Sequence, residues 1–313
     1  MGKCAFLFPG QGSQEIGMGA DLIDPDPFTA DLLAIGSDLA HEDLKELCRH
    51  GPARKLLHPA CLQPALVAVC LGYWKKLAAT GVVPDYIAGH SLGEITSLAV
   101  AGIVSPDDCI KIAAKRGRLM ENVAAACNGG MLAIMFISVD IVEKLLAEIA
   151  EPRRIVIAND NAPDQVVVSG DVQLLDRVAA RIAAEKLGKT RRVDVLGPWH
   201  SPFMNDAQLE FEQWVTEVPF TSPRLPVVFN ATASSESDPM VIKQLVTGQL
   251  TRPVYWRTSM ETINAAGVDT LYEIGPQRVL SGLARINGFK KGTAIHNINN
   301  LRGIERLHER VPG

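Results

Sequence analysis

Between Gly89 and Gly93 the chain reads Gly-His-Ser-Leu-Gly, a spacing that suits Ser91 to act as a nucleophile. The apolar pair Ile87–Ala88 before it reads as the end of a strand. From Leu92 onward the apolar residues fall at Leu92, Ile95, Leu98 and Ala99, with Gly102 next, which is helical spacing. Ser91 is therefore expected at a strand-to-helix turn. Flanking glycines let such a turn fold sharply and push one hydroxyl outward, and N–H groups at the helix start can stabilise an anion there. The same residues also suit an ordinary glycine-rich connection with Ser91 as N-cap. The rest of the chain has to decide.

A serine hydroxyl needs a base within hydrogen-bonding reach, and the chain has seven histidines. His90 adjoins Ser91, so the turn aims it elsewhere. His41, His50, His58 and His308 lie in polar segments expected to be exposed, and His296, inside the strand-like "AIHNIN", reads as structural. His200 in "LGPWHSPFM" lies at a junction between two structural units, where clefts form. It is the candidate base.

The first strand runs into "FPGQGSQ" (8–14), which is neither a P-loop nor a dinucleotide fingerprint, since Glu15 stands where the third glycine would be. Such a loop can donate one backbone N–H to an oxyanion hole, the other coming from Leu92. One such donor lowers a barrier by roughly 3–4 kcal/mol. A plain tight turn is the competing reading. Arg116 falls on the apolar stripe Cys109, Ile112, Ala113, Met120, Val123 of a helix, whereas Lys115 and Arg118 face solvent. A buried guanidinium must be paired. Periodicity alone leaves open whether its partner is a protein carboxylate or a substrate carboxylate held bidentately.

These residues need a scaffold, and the 313-residue chain has an ordinary globular composition, 47% hydrophobic and 21% charged. No apolar run approaches the ~18 residues of a membrane span, and the N-terminus lacks a secretory pattern. Six scattered cysteines read as free thiols of a reducing compartment, without metal-ligand spacing. A formal charge of −4 gives no general attraction to nucleic acid or membrane. A cytoplasmic protein is expected.

Strands and helices alternate from "CAFLF" through "QPALVAVCLGYWKKLAA", "PDYIAG" and the helix capped by Ser105, with Pro106 at its first position and Asp108 closing a capping box. That alternation implies an α/β fold with a parallel sheet. The middle reads "MLAIMFI", "VDIVEKLLAEIA", "RIVIAN", "QVVVSG", "VQLLDRVAARIAAEKLG" and "RRVDVL", with "DNAPD" as the turn between the third and fourth. The order β-α-β-β-α-β marks an inserted ferredoxin-like subdomain. The expected division is 1–127 with 198–313 as the large core and 128–197 as the small subdomain. Afterwards the alternation resumes, and the polar tail "RLHERVPG" is expected to fray.

Seven motifs in register now carry a resemblance: "FPGQGSQ", "QPAL" (63–66), "GHSLGE" (89–94), "RGRLM" (116–120), the stretch 159–170, "HSPFM" (200–204) and "EIGPQRVLSGL" (273–283). The chain resembles the malonyl-CoA:acyl carrier protein transacylases over nearly its whole length. The resemblance implies a hydrolase-like core with a nucleophile elbow and a ferredoxin-like insert. It implies that Ser91 is acylated, that His200 is its base, and that Gln11 and Leu92 supply the oxyanion-hole amides. Arg116 would hold the malonyl carboxylate, and a main-chain carbonyl at Gln249 would orient His200. Gln63, Asn161 and His90 would line the site with Trp199, whose bulk, together with Leu92, points to malonyl rather than a branched acyl group. The implied partners are malonyl-CoA and an acyl carrier protein bearing phosphopantetheine. A monomer without metal or redox cofactor is expected. The alternatives are a serine thioesterase with the same elbow and base, and a catalytically idle carrier-protein-binding subunit.

Overall fold

The computed structural model describes residues 2–149 and 154–308. Its nine strands are β1 (Lys3–Phe8), β2 (Tyr86–Gly89), β3 (Gly129–Met135), β4 (Ile155–Ala162), β5 (Gln165–Asp171), β6 (Lys189–Arg192), β7 (Val227–Val228), β8 (Val268–Ile274) and β9 (Ala294–Ile298). They form two sheets. One is parallel throughout, in the order β7-β2-β1-β8-β9. The other is antiparallel, in the order β4-β5-β3-β6.

Alternation along β1 explains why its buried stretch, Ala5 to Phe8, is apolar throughout. Phe6 and Phe8 join a core built with helices Pro59–Ala78, Leu92–Val100 and Pro106–Ala126, while Ala5 and Leu7 join a second core with Trp256–Ala265 and Val279–Ile286. Both faces of the sheet are covered, as a parallel sheet requires. Helix Pro106–Ala126 begins as its capping residues imply, with Ser105 Oγ accepting from the Asp108 N–H at 3.1 Å. The reciprocal bond runs from the Ser105 hydroxyl to the Asp108 carboxylate at 2.7 Å, not from the Ser105 N–H. The antiparallel sheet has its own core, in which Leu132, Ile134, Val166 and Val168 meet Leu145, Leu175 and Val178 of the two helices between its strands.

The structure departs from expectation in four places. The strand expected at 191–196 is Lys189–Arg192, because Val193 and Val195 turn away to pack on the large core. The charged residues left in β6 suit an edge strand. The segment 160–162 is not a turn but the bulged end of β4, with register shifts at Ile157/Asn159 and Asp160/Ala162. The tail is helical over Leu301–His308, with Ile304 buried and Leu301 and Leu307 packed on the core; residues 309–313 lie outside the described residues. Finally, four helices that the sequence pattern left unassigned, Ala20–Ile23, Pro27–Ala40, Leu44–His50 and Ala53–Leu56, fill the stretch between β1 and helix Pro59–Ala78. No described helix is long and apolar enough to cross a membrane.

Candidate active site

Ser91 lies two residues past the end of β2 and is the N-cap residue of helix Leu92–Val100, with φ 51° and ψ −106°. A non-glycine residue held there costs about 1–3 kcal/mol, so neighbours must hold it. Three glycines make the approach possible. A Cβ on Gly89 would lie 1.9 Å from the Gly93 carbonyl carbon, and one on Gly93 would lie 1.9 Å from the Phe8 oxygen. A Cβ on Gly10 would lie 2.4 Å from the His90 oxygen, so only glycine lets the 8–14 loop rest on the elbow. In that arrangement the Gln11 and Leu92 N–H groups have no acceptor among the described residues. The Gln11 side-chain amide is also buried without a partner among them.

His200 meets the serine. Its Nε2 lies 2.7 Å from Ser91 Oγ, and its Nδ1 lies 2.9 Å from the Gln249 carbonyl and 3.2 Å from that of Arg252. Carbonyls only accept, so Nδ1 carries the proton and Nε2 is free to accept from the hydroxyl. Burial, helped by the nearby Arg116 cation, lowers the His200 pKa to about 3. The resting imidazole is therefore neutral, the form a general base needs.

Arg116 is 1% exposed. Its Nε and Nη2 donate to Gln249 Oε1 at 3.1 and 2.9 Å, its Nη1 to Gln63 Oε1 at 2.9 Å and Met120 Sδ at 3.1 Å, and its Nη2 to Ser91 Oγ at 3.2 Å. Every one of these acceptors is neutral, and among the described residues no carboxylate forms an ion pair with it. Burial outweighs the attraction of Glu94 and lowers the Arg116 pKa to about 10, so the group stays charged near neutrality. A thioether is a weak acceptor. The outer edge of the fork thus rests on Met120 and Ser91, contacts that an incoming carboxylate can replace.

The bulges of β4 place a further pair. Asp160 N–H donates to the Val254 oxygen and Val254 N–H to the Ala158 oxygen, which ties this edge strand to the large core. Asn161 Oδ1 then lies 2.8 Å from His90 Nε2, with Trp256 edge-on to the His90 ring at 5.3 Å. Desolvation lowers the His90 pKa. Trp199 is buried at 4% exposure with its indole edge set against Gly197, and it is not among the residues lining the cavity beside His200. That cavity, of about 440 Å³, is lined by apolar residues such as Leu146, Ile157, Pro202 and Pro253, together with Tyr255 and the polar Glu143, Asp160 and Thr251.

The structure thus brings Ser91, His200, Arg116, Gln63 and Gln249 into one bonded set, with Gln11 and Leu92 beside it and His90 with Asn161 as an adjoining pair. Two members of the set were not singled out from the sequence. Asn230 Oδ1 accepts from the Ser91 N–H at 2.8 Å, and Glu94 accepts from Gln249 Nε2 at 2.9 Å. Burial raises the Glu94 pKa to about 7. Of the other histidines, His41 and His50 are exposed and His296 stacks on Tyr272 at 5.0 Å. His58 is half-buried, contrary to expectation, because it pairs with Glu121 at 2.8 Å.

The acyl transferase domain family matches this chain over residues 5–302. The malonyl CoA-acyl carrier protein transacylase of Salmonella typhimurium is 34% identical over 286 residues, 91% of this chain and 93% of that protein. The crystal structure of malonyl-CoA:acyl carrier protein transacylase from Xanthomonas oryzae pv. oryzae aligns with a TM-score of 0.93 at 32% identity, over 100% of this chain and 99% of that one. A type II PKS acyl-carrier protein in complex with its malonyl-transacylase gives 0.92 at 30% identity, over 99% and 100%. With an elbow serine, a carbonyl-oriented histidine and a buried arginine already in place, these matches assign the chain to the acyl transferase family, among the malonyl-CoA:acyl carrier protein transacylases.

Proposed function

We propose that this protein moves a malonyl group from malonyl-CoA to the phosphopantetheine thiol of an acyl carrier protein. The observation that carries the reading is Arg116, a buried fork bonded only to neutral acceptors and touching Ser91 Oγ. A general esterase has no use for a cation facing its acyl chain.

In the first half-reaction Ser91 Oγ attacks the thioester carbonyl and its proton passes to His200 Nε2. The Gln11 and Leu92 N–H groups receive the oxyanion. The tetrahedral intermediate collapses with cleavage of the C–S bond, and coenzyme A leaves with the proton from His200. The carrier thiol attacks the malonyl-serine by the reverse path. The malonyl carboxylate replaces Met120 and Ser91 on the Arg116 fork, and in doing so it neutralises one of the charges that hold His200 at low basicity. An anionic acyl group therefore both binds to the site and strengthens its base. The reaction requires no metal or redox cofactor.

The same reading keeps the division into 1–127 with 198–313 and 128–197, supported by the confinement of β3 to β6 to residues 129–192 and by their separate apolar cluster. It takes the enzyme as a cytoplasmic monomer, in line with its six free cysteines. The test is single-turnover transfer. With malonyl-CoA alone, peptide mapping should find one malonyl adduct, on Ser91, which a holo carrier protein then removes. Ser91→Ala should show neither step. An adduct elsewhere, or rapid loss to water before carrier is added, would contradict the reading, the latter in favour of a thioesterase.

A further inference from the structure

Glu94 lies in the first turn after Ser91 and is 1% exposed. Its Oε2 accepts from the Asn230 N–H at 2.5 Å, and its Oε1 accepts from Gln249 Nε2 at 2.9 Å. Both oxygens face donors, which is the pattern of a carboxylate. Each donor belongs to a residue that grips the elbow. Asn230 brackets it, accepting from the Ser91 N–H at 2.8 Å and donating to the Gly89 oxygen at 2.7 Å. Gln249 donates from Nε2 to the Ser91 oxygen at 3.0 Å, presents Oε1 to Arg116, and accepts from His200 at its backbone carbonyl.

The consequence is directional. Ionised, Glu94 can only accept, as the Ser91 carbonyl does, so Gln249 turns its NH2 toward both and its oxygen toward Arg116, which only donates. An amide at position 94 has one accepting oxygen where the carboxylate has two, so it must set its NH2 against either the Asn230 N–H or the Gln249 NH2 and lose that bond. Where the bond to Gln249 is lost, its NH2 keeps only the Ser91 carbonyl as acceptor, and the two bonds by which its oxygen holds Arg116 Nε and Nη2 are less firmly placed. When ionised, Glu94 also offsets part of the Arg116 charge at one amide's remove, without forming an ion pair with it.

We propose that Glu94 is a positioning residue whose carboxylate fixes the Gln249 amide and thereby aims Arg116 at the acyl carboxylate, making selection of malonyl over acetyl depend on it. The proposal rests on the malonyl-transfer reading. The experiment compares Glu94→Gln with the wild type in rates of acyl loading from malonyl-CoA and from acetyl-CoA, followed by intact mass, with thermal midpoints measured alongside. The malonyl rate should fall by about tenfold or more, as expected for a weakened hold on a charged group, while the acetyl rate changes by less than about threefold. The malonyl-to-acetyl ratio is the readout, since general loosening of the elbow slows both substrates alike.

Glu94→Asp keeps the charge one methylene shorter, and it carries the test if the amide variant does not fold. Its ratio should stay within about threefold of wild type, because the acceptor character that orients Gln249 is retained. An unchanged ratio in Glu94→Gln, equal slowing of both substrates, or a collapsed ratio in Glu94→Asp would overturn the proposal. If the wild type itself shows no malonyl preference, the malonyl-transfer reading fails instead.

Discussion

Two arginines of this molecule, Arg116 fully buried and Arg257 partly so, are held in opposite ways. Arg257 lies on the helix Trp256–Ala265 and meets Asp160 of β4 through Nε at 3.1 Å to both oxygens and Nη2 at 2.8 Å. That fork is saturated by a protein carboxylate, and its pKa is raised by the bond. Arg116 is more deeply buried yet meets only amides, a thioether and a hydroxyl, and burial lowers its pKa. Leaving a buried cation without a carboxylate is costly. A saturated fork joins two parts of a fold, whereas an unsaturated one is held ready for an anion that arrives from outside.

The comparison can be broken from either side. Arg257→Ala leaves Asp160, whose side chain is 6% exposed, without its ion pair. Stability should fall by about 2 kcal/mol, below the full cost of opening a buried pair because Arg257 is partly exposed. The malonyl-to-acetyl loading ratio should be unchanged. Urea unfolding with parallel loading assays checks both, and a collapsed ratio would show that the two arginines are not separate in role.

A smaller effect is expected from pH. His200 must be neutral to act as a base, and its depressed pKa keeps it neutral well below the ordinary histidine range. In Glu94→Gln, which removes the carboxyl titrating at about 7, kcat/KM for malonyl-CoA should change less than about twofold between pH 8 and 5 on this account. A base with the ordinary pKa of ~6.5 would lose about thirtyfold over that range. A limb centred near that value would therefore contradict the environment described for His200.

Much of this site was legible in the sequence because its parts are local. Ser91 is marked by glycines two residues to each side, and Arg116 by its place on an apolar helical stripe. What hid the rest was distance and ambiguity. Asn230 reaches Ser91 across 139 residues from the end of a two-residue strand, with no periodicity to mark it. Glu94 reads as an ordinary acidic residue in a helix's first turn, where the macrodipole favours one anyway. Asp160 and Asn161 looked like a turn because bulged strand ends share its residue types. Val193 and Val195 alternate as a strand does, but their apolar sides are buried against the large core instead of continuing β6. Three of the helices after β1 have only four to seven residues, too short for a helical period to stand out, whereas Pro27–Ala40 with 14 is long enough and went unassigned all the same.

The most direct test of the central claim is acyl loading of wild type and Arg116→Ala from malonyl-CoA and acetyl-CoA, followed by intact mass. Wild type should load malonyl preferentially. Removing the fork should slow malonyl loading by about a hundredfold or more, the scale of losing a buried charge-assisted pair, with acetyl loading unchanged or faster. Equal loading of both groups by the wild type, or a parallel loss of both in the variant, would mean that Arg116 supports the fold and does not select the acyl group.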